Sequence, residues 1–179
     1  AYEKAKSSGV KRFGIHMMAG SCVLDENYFE KLTEKLMDIA GNISKNLNIQ
    51  FEFINIGGGF GIPYEPNERD LDIEKAAEKI VEKFKQKLQE YALGEPWLFI
   101  EPGRYIVGDA SILLSKVNSI KTGYKRFIGL DASMSTLIRP ALYGAYHQIY
   151  NAVRLNETKT EVVDICGAIC ENTDIFAKD

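Results

Sequence analysis

The sequence has no apolar run near the roughly 20 residues that a membrane helix needs. Nothing between Ala1 and Val10 reads as a signal peptide. Cysteine is scarce: 3 residues, an odd number in no regular pattern, which argues against a disulfide framework. A reducing, cytoplasmic setting is the expectation. No Cys/His cluster completes a zinc site around Cys166 and Cys170. Basic excess is missing as well. Lys and Arg total 22 against 25 Asp and Glu, a net charge of -3 with no basic stripe, and nucleic acid is not an expected partner. There is no internal repeat and no low-complexity tract. No initiator methionine opens the chain, and Lys178-Asp179 follows an apolar segment without a closing element. An excerpt from a longer protein is the expectation.

What is present fits a soluble globular chain: 45% apolar and 26% charged residues over 179 positions, one domain or a piece of one. Arg12 to His16 reads as a short strand. Asp25 caps a helix whose apolar stripe is Phe29, Leu32, Leu36, Ile39, Ile43 and Leu47. Ile49 to Ile56, rich in β-branched and aromatic residues, reads as a second strand. Asp72 caps a second helix with a stripe of Ile73, Ala77, Ile80, Phe84, Leu88 and Tyr91, and Gly94 reads as its stop. Trp97 to Ile100 reads as a buried strand. The order β-α-β-α-β implies parallel strands. Each strand ends in a small-residue or ligand-like loop: Gly20-Ser21, Gly57 to Gly59, and Glu101 to Arg104. Parallel barrels and doubly wound sheets both place ligands at that edge.

Beyond Gly108 to Ser111 the character changes to mostly β. Ile112 to Ile120, Arg126 to Leu130, His147 to Val153 and Glu161 to Ile165 read as strands, with turns at Lys121 to Tyr124 and Asn156 to Thr158.

Four groups of residues carry chemistry. Glu101-Pro102-Gly103-Arg104 joins a carboxylate, a rigid turn, a residue without a side chain and a guanidinium. Gly103 lets a ligand approach the backbone, Arg104 suits a phosphate or carboxylate, and Glu101 suits a protonated ring nitrogen. A solvated surface turn is the alternative. Gly57-Gly58-Gly59 is not a dinucleotide fingerprint, because Ile62-Pro63 starts no helix in register; it is either an anion nest or a tight turn. His16 and Met18 share a strand face, as site residues or as core filling. Arg139 and Tyr143 share a helix face, as a binding pair or as an Arg stem packed on a phenol. Cys170-Glu171 falls in a turn after a strand, and Cys170 is either reactive or a small buried hydrophobe.

In this order, His16 to Ser21, Asn55 to Tyr64, Glu101 to Val107, Leu137 to His147 and Cys170 to Asp179 resemble the diaminopimelate decarboxylases. These are pyridoxal-phosphate enzymes of the alanine-racemase-like fold type. The resemblance covers nearly the whole chain. Glu-Pro-Gly-Arg is shared with ornithine and arginine decarboxylases; Glu171 after Cys170 resembles the diaminopimelate branch.

The resemblance implies that residues 1–108 are the C-terminal half of a pyridoxal-phosphate-binding β/α barrel. Residues 109–179 would then be part of a β-rich domain. It implies an α/β-then-β fold and a homodimer with shared active sites that takes a small amino-acid substrate. The implied reaction is decarboxylation of meso-2,6-diaminopimelate to L-lysine. Ser21, Gly57, Gly58, Gly59, Gly103 and Arg104 would surround the cofactor phosphate, with Glu101 at the pyridine nitrogen and Met18 and Pro102 also among the cofactor-binding residues. Arg104, Arg139 and Tyr143 would hold substrate carboxylates. Cys170 would return a proton and Glu171 would bind the substrate's distal end, both in the partner subunit's site. The fragment alone is expected to be inactive, since no segment matches the surroundings of the family's cofactor-bonding lysine. Met18 stands where the family has a histidine stacked on the cofactor, and Ala168 where a proline is common. The family's late tyrosine is also missing. Met18 and Ala168 leave room for another substrate on the same fold (ornithine, arginine or a carrier-bound amino acid) or for a non-catalytic regulatory relative.

Overall fold

A computed structural model describes residues 1–178; Asp179, the end of the expected β-rich domain, lies outside the described residues. The chain divides into two compact units. One comprises Ala1–Pro63 and Arg69–Ser111, the other Tyr64–Glu68 and the chain from Ile112 onward.

The first unit runs α1 (Tyr2–Ser7), β1 (Phe13–His16), α2 (Glu26–Leu47), β2 (Phe51–Asn55), α3 (Ile73–Tyr91), β3 (Trp97–Phe99) and α4 (Gly103–Val107). The three strands form a parallel sheet in the order β1-β2-β3. Both long helices start where a carboxylate satisfies an orphan N–H: Asp25 accepts from the Asn27 amide, Asp72 from the Lys75 amide. Phe29, Leu32, Leu36 and Met37 of α2 share one core with Ile15 and Ile54 of the sheet and with Ile56 just past β2. Between the helices, Lys79, Lys83 and Lys87 meet Glu30, Glu34 and Asp38 in rising order, which fixes them parallel. The hydrogen bond to Asp38 raises the Lys87 ammonium and lowers the Asp38 carboxyl.

Three expectations are corrected here. Ala76, not Ala77, is buried in α3, while Ile80 and Phe84 of the expected stripe are buried. That helix ends on Ala92 in the left-handed region (φ 50°), before Gly94. Strand β3 is not buried: Trp97 is 74% exposed and Phe99 47%. It is an edge strand, and its Trp97 and Phe99 share a face with Phe53 and Asn55 that no described helix covers.

The second unit holds β4 (Val117–Thr122), β5 (Arg126–Leu130), α5 (Arg139–Tyr143), β6 (Asp164–Cys166) and β7 (Ile175–Ala177). They form a mixed sheet in the order β4-β5-β6-β7, with β5-β6 parallel and the outer pairs antiparallel. Residues 112–116 and 147–153 are not strands, and β6 begins three residues later than the pattern suggested. Apolar, β-branched composition was present in both stretches, but neither finds a partner strand in the sheet. The β4-β5 turn falls on Gly123-Tyr124-Lys125, since β4 runs through Thr122.

Asp131 pins the start of β4 to the end of β5. It accepts from the Ser115 hydroxyl at 2.6 Å and the Lys116 amide at 2.9 Å. Those bonds, the hydroxyl first, hold its carboxyl below the ordinary range. A depressed carboxyl contributes stability above its unfolded pKa of about 3.9 and loses it as pH falls through the folded value. In the full-length protein, Asp131→Asn is expected to lower Tm near neutrality. The gap to wild type should close below about pH 4, as followed by thermal melts across pH.

Candidate active site

A parallel sheet gathers the C-terminal ends of its strands at one edge. Here register aligns His16 of β1 with Asn55 of β2, and Asn55 with Phe99 of β3, two residues before Glu101. The Asn55 amide donates to Glu101 Oε1 at 2.7 Å, and His16 Nε2 lies 3.5 Å from the same oxygen. Asn55 Oδ1 accepts the Gly57 N–H at 2.8 Å, and the Gly57 carbonyl accepts the Glu101 N–H at 2.8 Å. One carboxamide thus ties the glycine turn to the carboxylate. The Glu101 side chain stays 54% exposed, so it is held without being enclosed.

The glycine turn is the point where three loops meet backbone to backbone. A Cβ on Gly57 would sit 2.4 Å from the Met17 carbonyl oxygen, and on Gly58 2.3 Å from that of Glu101. On Gly59 it would sit 2.7 Å from that of Gly20, and Gly57 and Gly59 both have positive φ. Phe60 then anchors the turn. It is 2% exposed and stacks on Phe29 of α2 with centroids 4.2 Å apart. Val23 N–H to Gly59 O (2.8 Å) and Gly61 N–H to Val23 O (2.9 Å) zip the loop after β1 alongside it. That zip brings Ser21 forward, and its hydroxyl lies 3.2 Å from Arg104 Nη2. Pro102 precedes α4, which opens at Gly103, where a Cβ would meet no atom within 4 Å.

Met18 is not on β1, which ends at His16, so the two do not share a strand face. Nor is it core filling: it is 53% exposed, and its Sδ accepts the Gly58 N–H at 3.3 Å. His16 is likewise half exposed rather than packed in the core. The first unit therefore brings together Met18, Ser21, Gly57, Gly58, Gly59, Glu101, Pro102, Gly103 and Arg104.

In the second unit, Arg139 and Tyr143 do fall on one helical turn, α5. The ring beneath Arg139 is that of Tyr64, however, 5.5 Å from the guanidinium carbon, while Tyr143 is 70% exposed. Tyr64 meets the His147 ring edge-on at 5.3 Å. The Arg139 Nε atom is buried without a hydrogen-bond partner among the described residues. Cys170 and Glu171 lie exposed in the turn between β6 and β7, so Cys170 is not a small buried hydrophobe. Cys166 is the more enclosed thiol. Burial first, then Asp164 and Asp174, pushes it above its usual range.

Sequence reading missed Asn55, Phe60, Tyr64 and Asp174. Asn55 stood in plain view before the glycine run, but its partner Glu101 is set by strand register.

Residues 22–179 match the family model for the pyridoxal-dependent decarboxylase C-terminal sheet domain, and the chain belongs to that family. Among similar proteins, the diaminopimelate decarboxylase of Methanothermobacter thermautotrophicus is 50% identical over 178 residues, 99% of this chain and 42% of that protein. The chain thus spans under half the length of the curated relatives it matches. Among solved structures, diaminopimelate decarboxylase from Methanocaldococcus jannaschii in complex with L-lysine superposes with a TM-score of 0.81 at 36% identity. It covers 93% of this chain and 37% of that one. The Helicobacter pylori enzyme complexed with L-lysine gives 0.82 at 30% identity, over 98% and 42%.

The family implies pyridoxal phosphate, and the donor set fits it. A guanidinium and a hydroxyl converge beside a glycine turn, with open space at Gly103, as a phosphate requires. A separate carboxylate, oriented by an amide, suits a ring N–H. Among the described residues no helix is long and apolar enough to cross a membrane, and no cluster suits a metal ion.

Proposed function

We propose that the full-length protein uses pyridoxal 5'-phosphate to decarboxylate meso-2,6-diaminopimelate, giving L-lysine and CO₂. The observation that carries this reading is Glu101, fixed by Asn55 at the shared strand edge and still open to a ligand. When bound, the cofactor supplies an electron sink for the pair released with CO₂. Glu101 would keep a proton on the cofactor's ring nitrogen. Ser21, Gly57, Gly58, Gly59, Gly103 and Arg104 would hold the phosphate, with Pro102 setting the turn. Met18, whose sulfur braces Gly58, would offer its thioether to the cofactor ring.

Arg139, whose guanidinium is seated over the Tyr64 ring, and Tyr143 take substrate carboxylates. Cys170 delivers a proton to the carbon that has lost CO₂, and Glu171 binds the distal ammonium end. In this reading both act in the site of a second copy, within a homodimer. Residues 1–108 belong to a β/α barrel, and the bare sheet face at Phe53, Trp97 and Phe99 is covered by the rest of it. Residues 109–179 belong to a β-rich domain.

L-lysine in the related M. jannaschii and H. pylori structures supports the product. The test is turnover of meso-diaminopimelate, ornithine and arginine by the full-length protein. Diaminopimelate is expected to be preferred by about 100-fold or more in kcat/KM, because ornithine and arginine carry a distal cation but lack the second carboxylate that Arg139 and Tyr143 would hold. Preference for ornithine or arginine would move the substrate assignment.

A further inference from the structure

The proton donor and the distal-end residue sit on one short turn between β6 and β7, and a turn of exposed residues does not hold its own shape. What closes this one is Asp174. Its side chain is 2% exposed, and both carboxylate oxygens are used. Oδ2 accepts the Ile169 N–H at 2.8 Å, inside the turn. Oδ1 accepts the Met134 N–H at 2.6 Å, from a different segment. The Asp174 backbone closes the rest: its carbonyl accepts from Gly167 at 2.8 Å and its N–H donates to Glu171 at 3.1 Å. Gly167 has no side chain at the place where one would collide, since a Cβ there would lie 2.2 Å from Asp174 Oδ2. Met134 belongs to the Ser133 to Leu137 turn that leads directly into α5 and Arg139; Thr136 and Leu137 both donate to Ser133 O. The Ala168 N–H adds a strut to Ala132 at 3.2 Å.

We infer that Asp174 is a positioning residue: one buried carboxylate fixes the Cys170–Glu171 turn in register with the segment that carries Arg139. The inference rests on the function proposed above for those three residues. A carboxylate with each oxygen capped by a backbone N–H is the group this geometry requires, because two acceptors must face two donors. An asparagine keeps the shape but turns an NH₂ toward one of those donors.

The test uses full-length Asp174→Asn. Amide hydrogen exchange is expected to speed up by about 10-fold or more in residues 167–174 and 133–137, while the glycine turn at 57–61 keeps its wild-type rate. Cofactor absorbance stays unchanged, kcat falls by up to about 100-fold, and KM for diaminopimelate rises as well, because Glu171 and Arg139 share the loosened segments. In a Cys170→Ala background the same substitution costs little more, because both act on one step. Gly167→Ala, which pushes on the same carboxylate, reproduces the pattern and serves if Asp174→Asn does not fold. Unchanged exchange in the two segments, or kcat losses that multiply independently, overturns the inference. Faster exchange in a protein whose wild type turns over none of the three amino acids instead leaves Asp174 in place and removes the proposed reaction.

Discussion

Glu101→Gln in the full-length protein is expected to lower kcat on meso-diaminopimelate by about 10²–10³-fold, the usual cost of removing a preorganised electrostatic partner. The substitution keeps the size of the side chain and an oxygen that can still accept from Asn55. Fold and phosphate affinity are therefore expected to stay near wild type, because the proposed phosphate contacts run through Ser21, Arg104 and the glycine turn. The loss arises in the chemistry: an uncharged amide does not hold a proton on the ring nitrogen. Steady-state kinetics with a cofactor titration check this. A kcat within a few-fold of wild type would remove Glu101 from the reaction.

Gly57→Ala is expected to damage folding and cofactor binding together. Its φ of +73° suits glycine, and a methyl there would lie 2.4 Å from the Met17 carbonyl oxygen. Left-handed strain costs about 1–3 kcal/mol, and crowding a packed site costs a similar amount. A retreat of the loop after β1 would also pull Ser21 from Arg104. Cofactor affinity is expected to fall about 100-fold, equivalent to roughly 2.7 kcal/mol, with Tm lowered by several degrees. Gly103→Ala is the contrast. Its Cβ meets no atom within 4 Å, so Tm should hold while the phosphate is crowded and affinity alone falls. Calorimetry and a cofactor titration on both variants separate the two cases. Equal Tm losses would show that Gly103 serves packing rather than a ligand.

Local signals were legible and non-local ones were not. Asp25 and Asp72 announced both helix starts because capping is settled within one turn of chain. The order of strand ends with Gly57, Glu101 and Ser21 was legible because parallel β/α units place every such loop at one edge. The second unit was harder. Residues 147–153 carry strand-like composition yet form no strand, since pairing depends on a partner the sequence does not name. Trp97 reads as buried because it is apolar, but exposure follows from what lies across the sheet. Asn55 and Asp174 are ordinary polar residues in sequence, and only register and chain reversal give them their partners.

The most direct measurement is an absorption spectrum of the full-length protein with pyridoxal phosphate, followed by addition of meso-diaminopimelate. A cofactor band near the visible edge is expected, then L-lysine and CO₂ released in equal amounts. A protein that develops no such band and releases neither product would contradict the proposed function.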